Sequence, residues 1–191
     1  MLRTRARTAV TGVVIVAVVL FTAVSSNATS RRFQDGDNPN PHAVDISSVR
    51  VENSTVVKHQ VIVNIYVNNF EDPLANIGGD ILDLYLDTDS KRTGPEFHVR
   101  AYEQIRLTHM RSWSEDGPVI PCADSHHGAY DYNVQQMTHP NRYRVWIERS
   151  CLDYPGRVRV AVHMSRHGTA TTMSTQDWAK ARRTWLGWVS R

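Results

Sequence analysis

Two aspartates lie close together in the segment LDLYLDTDSKRTGPEFHV, residues 82–99. Asp87 and Asp89 occupy alternate positions, as the carboxylates of a calcium loop do. Lys91 and Arg92 follow where further oxygen ligands would be needed, and their positive charges oppose a divalent cation. The other interpretation is a hairpin turn, in which Asp and Ser bond local backbone groups. We expect the turn and no cofactor, with Asp87 and Asp89 as weak candidates for calcium.

The remaining polar residues do not form a recognisable catalytic motif. Nine histidines are present, but no spacing typical of a zinc helix occurs, and the adjacent His126 and His127 would point to opposite faces of a strand. The chain lacks G-x-S-x-G. A pair of glycosidase-type carboxylates would be brought together only by the fold. We therefore expect no catalytic residues and no enzymatic activity, and keep a secreted hydrolase as the second alternative.

The two cysteines of the chain, Cys122 and Cys151, allow a single intramolecular disulfide. An even number of cysteines in an exported protein is typical of disulfide bonding. A redox or metal pair would need a C-x-x-C spacing or a Cys/His cluster, and neither occurs. The sequence therefore predicts a disulfide between these residues.

Aromatic and polar side chains alternate with apolar ones in several segments. If the strands are neighbours in one sheet, the outward residues would form a platform on which sugar rings could stack. The candidate ligand-binding residues are Tyr66, Tyr85, Trp146, Asn64 and Asp83. The alternative is ordinary cross-strand packing that covers the sheet, and this is the interpretation we favour.

The C-terminal segment DWAKARRTWLGWVSR contains Trp178, Trp185 and Trp188 among basic residues. Such a composition occurs in segments that bind anionic membrane surfaces or cell-wall polymers. It also suits a tail that packs its tryptophans on a sheet and covers an open edge. We favour the packed tail.

Period-two alternation dominates the chain from Val44 onward and predicts half-buried antiparallel strands. It is clearest in HQVIVNIYVNNF, DILDLYLDTD, RYRVWIER and RVRVAVHM, and further strands are expected near 47–52, 97–103, 105–112 and 130–136. Turn signals such as EDPLANIGGD, TGPE, EDGP and YPGR separate these segments. Seven or eight one-sided strands are best buried in an all-β, antiparallel two-sheet β-sandwich with a short Trp-rich tail.

The first 28 residues have the pattern of a signal peptide, with Arg3, Arg5 and Arg7 before an uncharged apolar segment at 9–24. That segment is shorter than the roughly 20 residues of a spanning helix. We expect a secreted protein without a stable membrane span, the alternative being an uncleaved N-terminal anchor. Residues 29–43 are predicted to be a flexible leader and 44–191 a single domain.

Charge argues against nucleic acid as a partner. The chain has 22 Lys and Arg against 19 Asp and Glu, and three of its arginines lie in the predicted signal. Removing the signal leaves 19 basic against 19 acidic residues, so the expected mature protein has no basic excess.

The order of several motifs resembles that of a known group of proteins. DTD and GPEF are followed by a tryptophan, a cysteine, PGRVRVAV and the DWA segment of the tail. In this the chain resembles small secreted actinobacterial β-sandwich proteins of unknown function and, more remotely, carbohydrate-binding and DOMON-like extracellular modules. The resemblance implies a sandwich and no particular activity. We expect a non-catalytic module that binds an extracellular or cell-wall ligand, the alternative being a carbohydrate-binding module proper.

Overall fold

The computed structural model describes residues 29–36, 44–55, 59–68, 79–102, 104–122, 132–138, 140–166 and 175–191. The predicted signal peptide at 1–28 and the second half of the predicted leader lie outside these residues, as do His126 and His127. No helix in the described part of the chain is long and apolar enough to cross a membrane.

The described residues form twelve strands and one short 3₁₀ helix, η1. The strands are β1 (Thr29–Gln34), β2 (Ile46–Asn53), β3 (Gln60–Val67), β4 (Asp80–Asp87), β5 (Phe97–Ala101), β6 (Ile105–Ser112), β7 (Glu115–Val119), β8 (Tyr132–Thr138), β9 (Asn141–Glu148), β10 (Arg157–Arg166), β11 (Thr175–Trp178) and β12 (Val189–Ser190). The 3₁₀ helix η1 spans Arg149–Leu152, directly after β9.

The strands form two antiparallel sheets. The five-stranded sheet has the order β1-β2-β3-β9-β8, and the larger sheet has the order β11-β10-β4-β5-β6-β7. β12 also pairs with β10, which makes seven strands in the larger sheet. The predicted all-β, two-sheet sandwich is confirmed.

The core consists of the apolar positions that the alternation predicted. Val61, Val63 and Ile65 of β3 belong to the same buried cluster as Leu82 and Leu84 of β4. Alternate side chains of each strand enter this cluster because successive Cβ atoms point to opposite sides of a sheet. The other side chains of β4 and β5 point outward, where they can form a binding site.

Twelve strands are described where seven or eight were expected, and the additional ones are β1, β7, β11 and β12. Two of them replace segments for which the sequence predicts something else. Residues 29–34 were expected in a flexible leader, but they pair with β2 as β1, and Phe33 is buried in the core. The EDGP segment was expected as a turn, but Glu115–Val119 is the edge strand β7. An edge strand accepts Pro118 because one side of it needs no ladder hydrogen bonds. Two irregularities in the β6–β7 register accompany this proline.

Several side-chain connections join the two sheets, among them a disulfide and a buried hydrogen bond. The disulfide joins Cys122, after β7, to Cys151 in η1, after β9. Across the core, the Tyr143 hydroxyl of β9 donates a hydrogen bond of 2.9 Å to the Asp80 carboxylate of β4. Asp80 also accepts a hydrogen bond of 2.8 Å from Nε of Arg166 on β10. A buried charge is thus paired and hydrogen-bonded, as its desolvation requires.

The Trp-rich tail runs along the free edge of β10. β11 pairs with one end of β10 and β12 with the other end. Between them, the backbone N–H of Leu186 donates to Val160 at 2.8 Å. Lys180 and Arg183 have positive φ, so the chain bulges out there before it returns to the edge. The tail covers an otherwise open sheet edge.

Candidate binding site on the seven-stranded sheet

The outer face of the seven-stranded sheet carries polar side chains at positions that the register places side by side. Tyr85 of β4 lies opposite His98 of β5, which lies opposite Thr108 of β6. In the next row, Asp83 lies opposite Arg100, which lies opposite Arg106. In β4 and β5, the residues before and after these point into the core. Burial of those neighbours keeps the polar rows on the outer face.

His98 is held between two carboxylates. Its Nε2 lies 2.9 Å from Oδ1 of Asp83, and its Nδ1 lies 2.9 Å from Oδ1 of Asp116 on β7. An ionised carboxylate only accepts hydrogen bonds, so both ring nitrogens donate when both carboxylates are charged. The His98 side chain is 5% exposed, whereas that of Asp116 is 50% exposed. The histidine therefore connects a buried carboxylate to one at the surface.

Asp83 is shared by several basic groups. Besides His98, it lies 3.2 Å from Nδ1 of His163 and 3.8 Å from Nε of Arg100. Burial alone would raise the pKa of Asp83. The hydrogen bonds from His163 and His98, with the charges of His98 and Arg100, outweigh burial and hold that pKa well below its usual range. Asp83 is therefore negatively charged, and it holds the neighbouring basic side chains in place on this face.

A groove with a volume of about 420 Å³ lies beside His98, across β5, β6 and β7. We call it the β5–β7 groove. Its lining consists of polar and basic side chains with one glycine and one exposed valine: His98, Arg100, Tyr102, Gln104, Arg106, Thr108, Asp116, Gly117 and Val119. A volume of this size falls within the range of small-ligand pockets. The groove is large enough to bind a polar ligand, or a segment of one, that is a few rings or residues long.

Gly117 allows the β7 backbone to approach β6 closely at the groove. A Cβ atom built at this position would lie 3.0 Å from the carbonyl oxygen of His109. Such a contact is tighter than most real Cβ contacts, so a side chain here would require the β6 backbone to shift by a few tenths of an ångström. Glycine at this position thus permits the irregular β6–β7 pairing that shapes the groove wall.

Neither a family model nor a curated protein nor a solved structure matches this chain. The geometry of the two sheet faces is therefore the basis for inferring its function. The β5–β7 groove, at about 420 Å³, is larger than the recess of about 220 Å³ on the five-stranded sheet.

Tyr85, one of the predicted ligand-binding residues, has both faces covered. His98 stacks on it at 4.6 Å between ring centroids, and Trp178 stacks on it at 5.9 Å. Trp113 packs against it at 5.3 Å. Burial and the charges of Asp83 and Asp116 raise the pKa of Tyr85 to about 12. A sugar ring could not stack on Tyr85 without displacing one of these neighbours.

The five predicted ligand-binding residues do not share one sheet. Asp83 and Tyr85 belong to β4, whereas Asn64 and Tyr66 belong to β3 and Trp146 to β9. The two groups lie on the outer faces of different sheets, so the single platform considered from the sequence is not formed. The register could not be known from local alternation, because that pattern gives the face of a strand and not its partner.

On the five-stranded sheet, Tyr66 is also covered. The guanidinium carbon of Arg32 lies 4.6 Å from the centre of its ring, and that of Arg142 lies 5.9 Å from it. Trp146 is different, since it is half-buried and lines a recess of about 220 Å³ with Gln60, Gln135 and Arg144. Nε of Arg144 is buried and has no hydrogen-bond partner among the described residues.

The DTD segment forms the predicted hairpin turn between β4 and β5. Asp87 is fully buried and lies 2.6 Å from Nη2 of Arg159, and it accepts a hydrogen bond from the Asp89 backbone N–H. Asp89 in turn accepts from the backbone N–H of Lys91. Burial raises the pKa of Asp87, although Arg159 opposes the shift. Among the described residues no group of three His, Cys, Asp or Glu side chains is placed so that it could hold a metal ion. The expectation that calcium does not bind here stays a prediction.

The three tail tryptophans are engaged on the outer face. Trp178 stacks on His163 at 4.6 Å, and Trp185 packs against Trp113 at 4.7 Å. Arg159 lies over Trp185 and over Trp188, at 5.0 and 4.6 Å. These contacts place the tail next to Tyr85 and His163, and therefore close to His98.

His98, Arg100, Arg106 and Asp116 are not among the site residues that the sequence predicts. A signal was nevertheless present in FHVRAYEQIRLTH, residues 97–109, where the outward positions of two consecutive short strands are polar. Assigning faces to these strands would have placed His98, Arg100 and Arg106 on the solvent side.

Proposed function

We propose that this chain is a secreted, non-catalytic module that binds an extracellular or cell-envelope ligand in the β5–β7 groove. The observation that carries this proposal is the groove itself, which brings two arginines, an amide, two hydroxyls and a carboxylate to one concave surface. The signal-like N-terminus and the disulfide support export, because disulfides persist in oxidising compartments.

The arrangement around His98 supports binding over catalysis. A general base needs a ring nitrogen that can take a proton from the substrate. Both ring nitrogens of His98 are already hydrogen-bonded to carboxylates. Its stacking against Tyr85 further fixes the ring. His98 and the carboxylates that hold it can therefore form a rigid surface against which a ligand binds.

A substitution that fills the groove tests this proposal. Val119 lines the groove and is 54% exposed, so Val119→Trp adds bulk without entering the core. We expect the wild-type protein to co-sediment with isolated bacterial cell-wall sacculi and Val119→Trp to lose most of that binding. The experiment measures the bound fraction against sacculus concentration at fixed salt.

Tyr154→Trp is the matched control, because Tyr154 is exposed by 66% and lies outside the groove lining. It should bind as the wild type does. If Val119→Trp binds sacculi as well as the wild type does, the ligand does not bind in the groove. Absence of wild-type binding would contradict a cell-wall ligand.

The recess beside Trp146 favours a second candidate function, a carbohydrate-binding module. A half-buried indole next to two amides and a guanidinium resembles the way proteins combine ring stacking with hydrogen bonds to hydroxyls. Arg144 has a buried Nε whose desolvation a bound hydroxyl would offset.

Trp146→Ala tests this candidate. If sugars stack on the indole, the substitution should weaken binding to soluble cell-wall oligosaccharides by about two- to tenfold, as loss of one stacking contact of about 0.5–1.5 kcal/mol implies. Isothermal titration calorimetry measures the change, and Tyr66→Ala serves as the control because arginines cover that ring. Unchanged affinity in Trp146→Ala would exclude the recess as a sugar site.

A further inference from the structure

We infer that the β5–β7 groove recognises an anionic group, a carboxylate or a phosphate, through Arg100 and Arg106. This inference rests on the proposed function, since it names the ligand class of the same groove. It starts from an unusual feature of the sheet: these two arginines are direct cross-strand partners on β5 and β6.

Like charges directly opposite each other destabilise an antiparallel pair. The side chains of opposed residues project from the same face, so the two guanidinium groups rise from neighbouring points of the groove. The repulsion between the two opposed arginines therefore destabilises the free protein. An anion bound between them would neutralise this repulsion.

The neighbouring carboxylates only partly offset this charge. Arg100 lies 3.8 Å from Asp83, but Asp83 is already hydrogen-bonded to His98 and His163. Arg106 donates a hydrogen bond to the neutral Gln104 at 3.2 Å. No carboxylate of the described chain lies within 4.0 Å of Arg106. Asp116, the acid in the groove lining, is hydrogen-bonded to His98.

The rest of the lining complements an anion that is attached to a polar body. Gln104, Tyr102 and Thr108 bring amide and hydroxyl groups to the same groove as the arginines. Guanidinium groups bind planar carboxylates and phosphates through paired N–H donors. The groove therefore fits an acidic sugar unit or a phosphate-bearing unit of an extracellular polymer.

NMR of the whole exported domain tests the inference directly. The arginine Nε–Hε signals are followed during titration with inorganic phosphate, with sodium glucuronate and with neutral glucose, all at constant ionic strength. We expect saturable shifts of the Arg100 and Arg106 signals with one or both anions and none with glucose. The anion that binds more tightly assigns the ligand as a phosphate or a carboxylate.

Arg106→Gln is the decisive variant and Arg111→Gln is its matched control. Arg111 is also on β6, but it pairs with Glu115 and lies outside the groove lining. Arg106→Gln should weaken anion binding by about tenfold, as loss of one charge-assisted hydrogen bond implies. The control should bind as the wild type does.

A second readout separates ligand recognition from a structural role. Because Arg106→Gln removes the opposed charges, it should raise the Tm of the free protein by about 1–3 °C. A structural role for Arg106 predicts a lower Tm. Unchanged anion affinity or a lowered Tm in Arg106→Gln would overturn the inference.

The two tests fail in different ways. If Val119→Trp abolishes binding to sacculi but neither anion shifts the arginine signals, the groove is a binding site and its ligand is not anionic. If the anions bind but Val119→Trp still binds sacculi, the groove holds anions and the proposed cell-wall function lies elsewhere.

Discussion

Replacing Asp80 by alanine should lower the free energy of unfolding by about 3–5 kcal/mol, because it leaves buried donors without their acceptor. Asp80 is fully buried and accepts hydrogen bonds from Tyr143 and Arg166. The loss would leave a guanidinium that is only 15% exposed without its carboxylate. Urea denaturation followed by tryptophan fluorescence measures the change.

Glu115→Ala is the control for this prediction. Glu115 forms an ion pair of 3.0 Å with Arg111, but both side chains are more than half exposed. Such a pair contributes about 0–1 kcal/mol. Tyr143→Phe should fall between the two, at about 1–2 kcal/mol, since Asp80 keeps Arg166. A loss below about 1 kcal/mol in Asp80→Ala would show that the pairing of Asp80 does not stabilise the fold.

Removing the disulfide should have a comparable effect. Cys122 and Cys151 are 29 residues apart, and closing a loop of that length stabilises by about 3–4 kcal/mol in the chain-entropy model. The double variant Cys122→Ser, Cys151→Ser should therefore unfold at lower urea than the oxidised wild type. It also loses the covalent connection between the segments that follow β7 and β9.

The reduced wild-type protein provides the control, because it lacks the bond but keeps both side chains. Its urea midpoint should match that of the double variant. Thiol titration of the native protein without reductant is the independent check. Two reactive thiols, or equal stability of oxidised and reduced protein, would contradict a stabilising disulfide.

The core was predictable because burial on one side of a strand leaves a local pattern. Val61, Val63 and Ile65 alternate with outward residues, and β3 and β4 are found where this alternation placed them. Local patterns failed where burial is weak. β1 has one buried residue, Phe33, and β7 contains Pro118 and a glycine, so the sequence predicts a leader and a turn where these edge strands lie.

The candidate site was less predictable, because it depends on which strands are neighbours. The alternation placed Tyr66 and Tyr85 on outward faces, but only the pairing of β3 with β9 and of β4 with β10 assigns them to different sheets. The opposition of Arg100 and Arg106 depends on the register of β5 and β6 in the same way. Register is set by tertiary contacts and turns.

The tail that covers the β10 edge also constrains the order in which the protein folds. Its residues hydrogen-bond to the beginning of the domain: Asp177 accepts from Ile46, 131 residues away, and Asp35 accepts from Lys180, 145 residues away. Contacts at such separations form late, because the entropy of loop closure must be overcome before they stabilise the chain. If the chain is exported, as proposed above, in an unfolded state, it would therefore stay incompletely folded until residues 175–191 have emerged from the export channel.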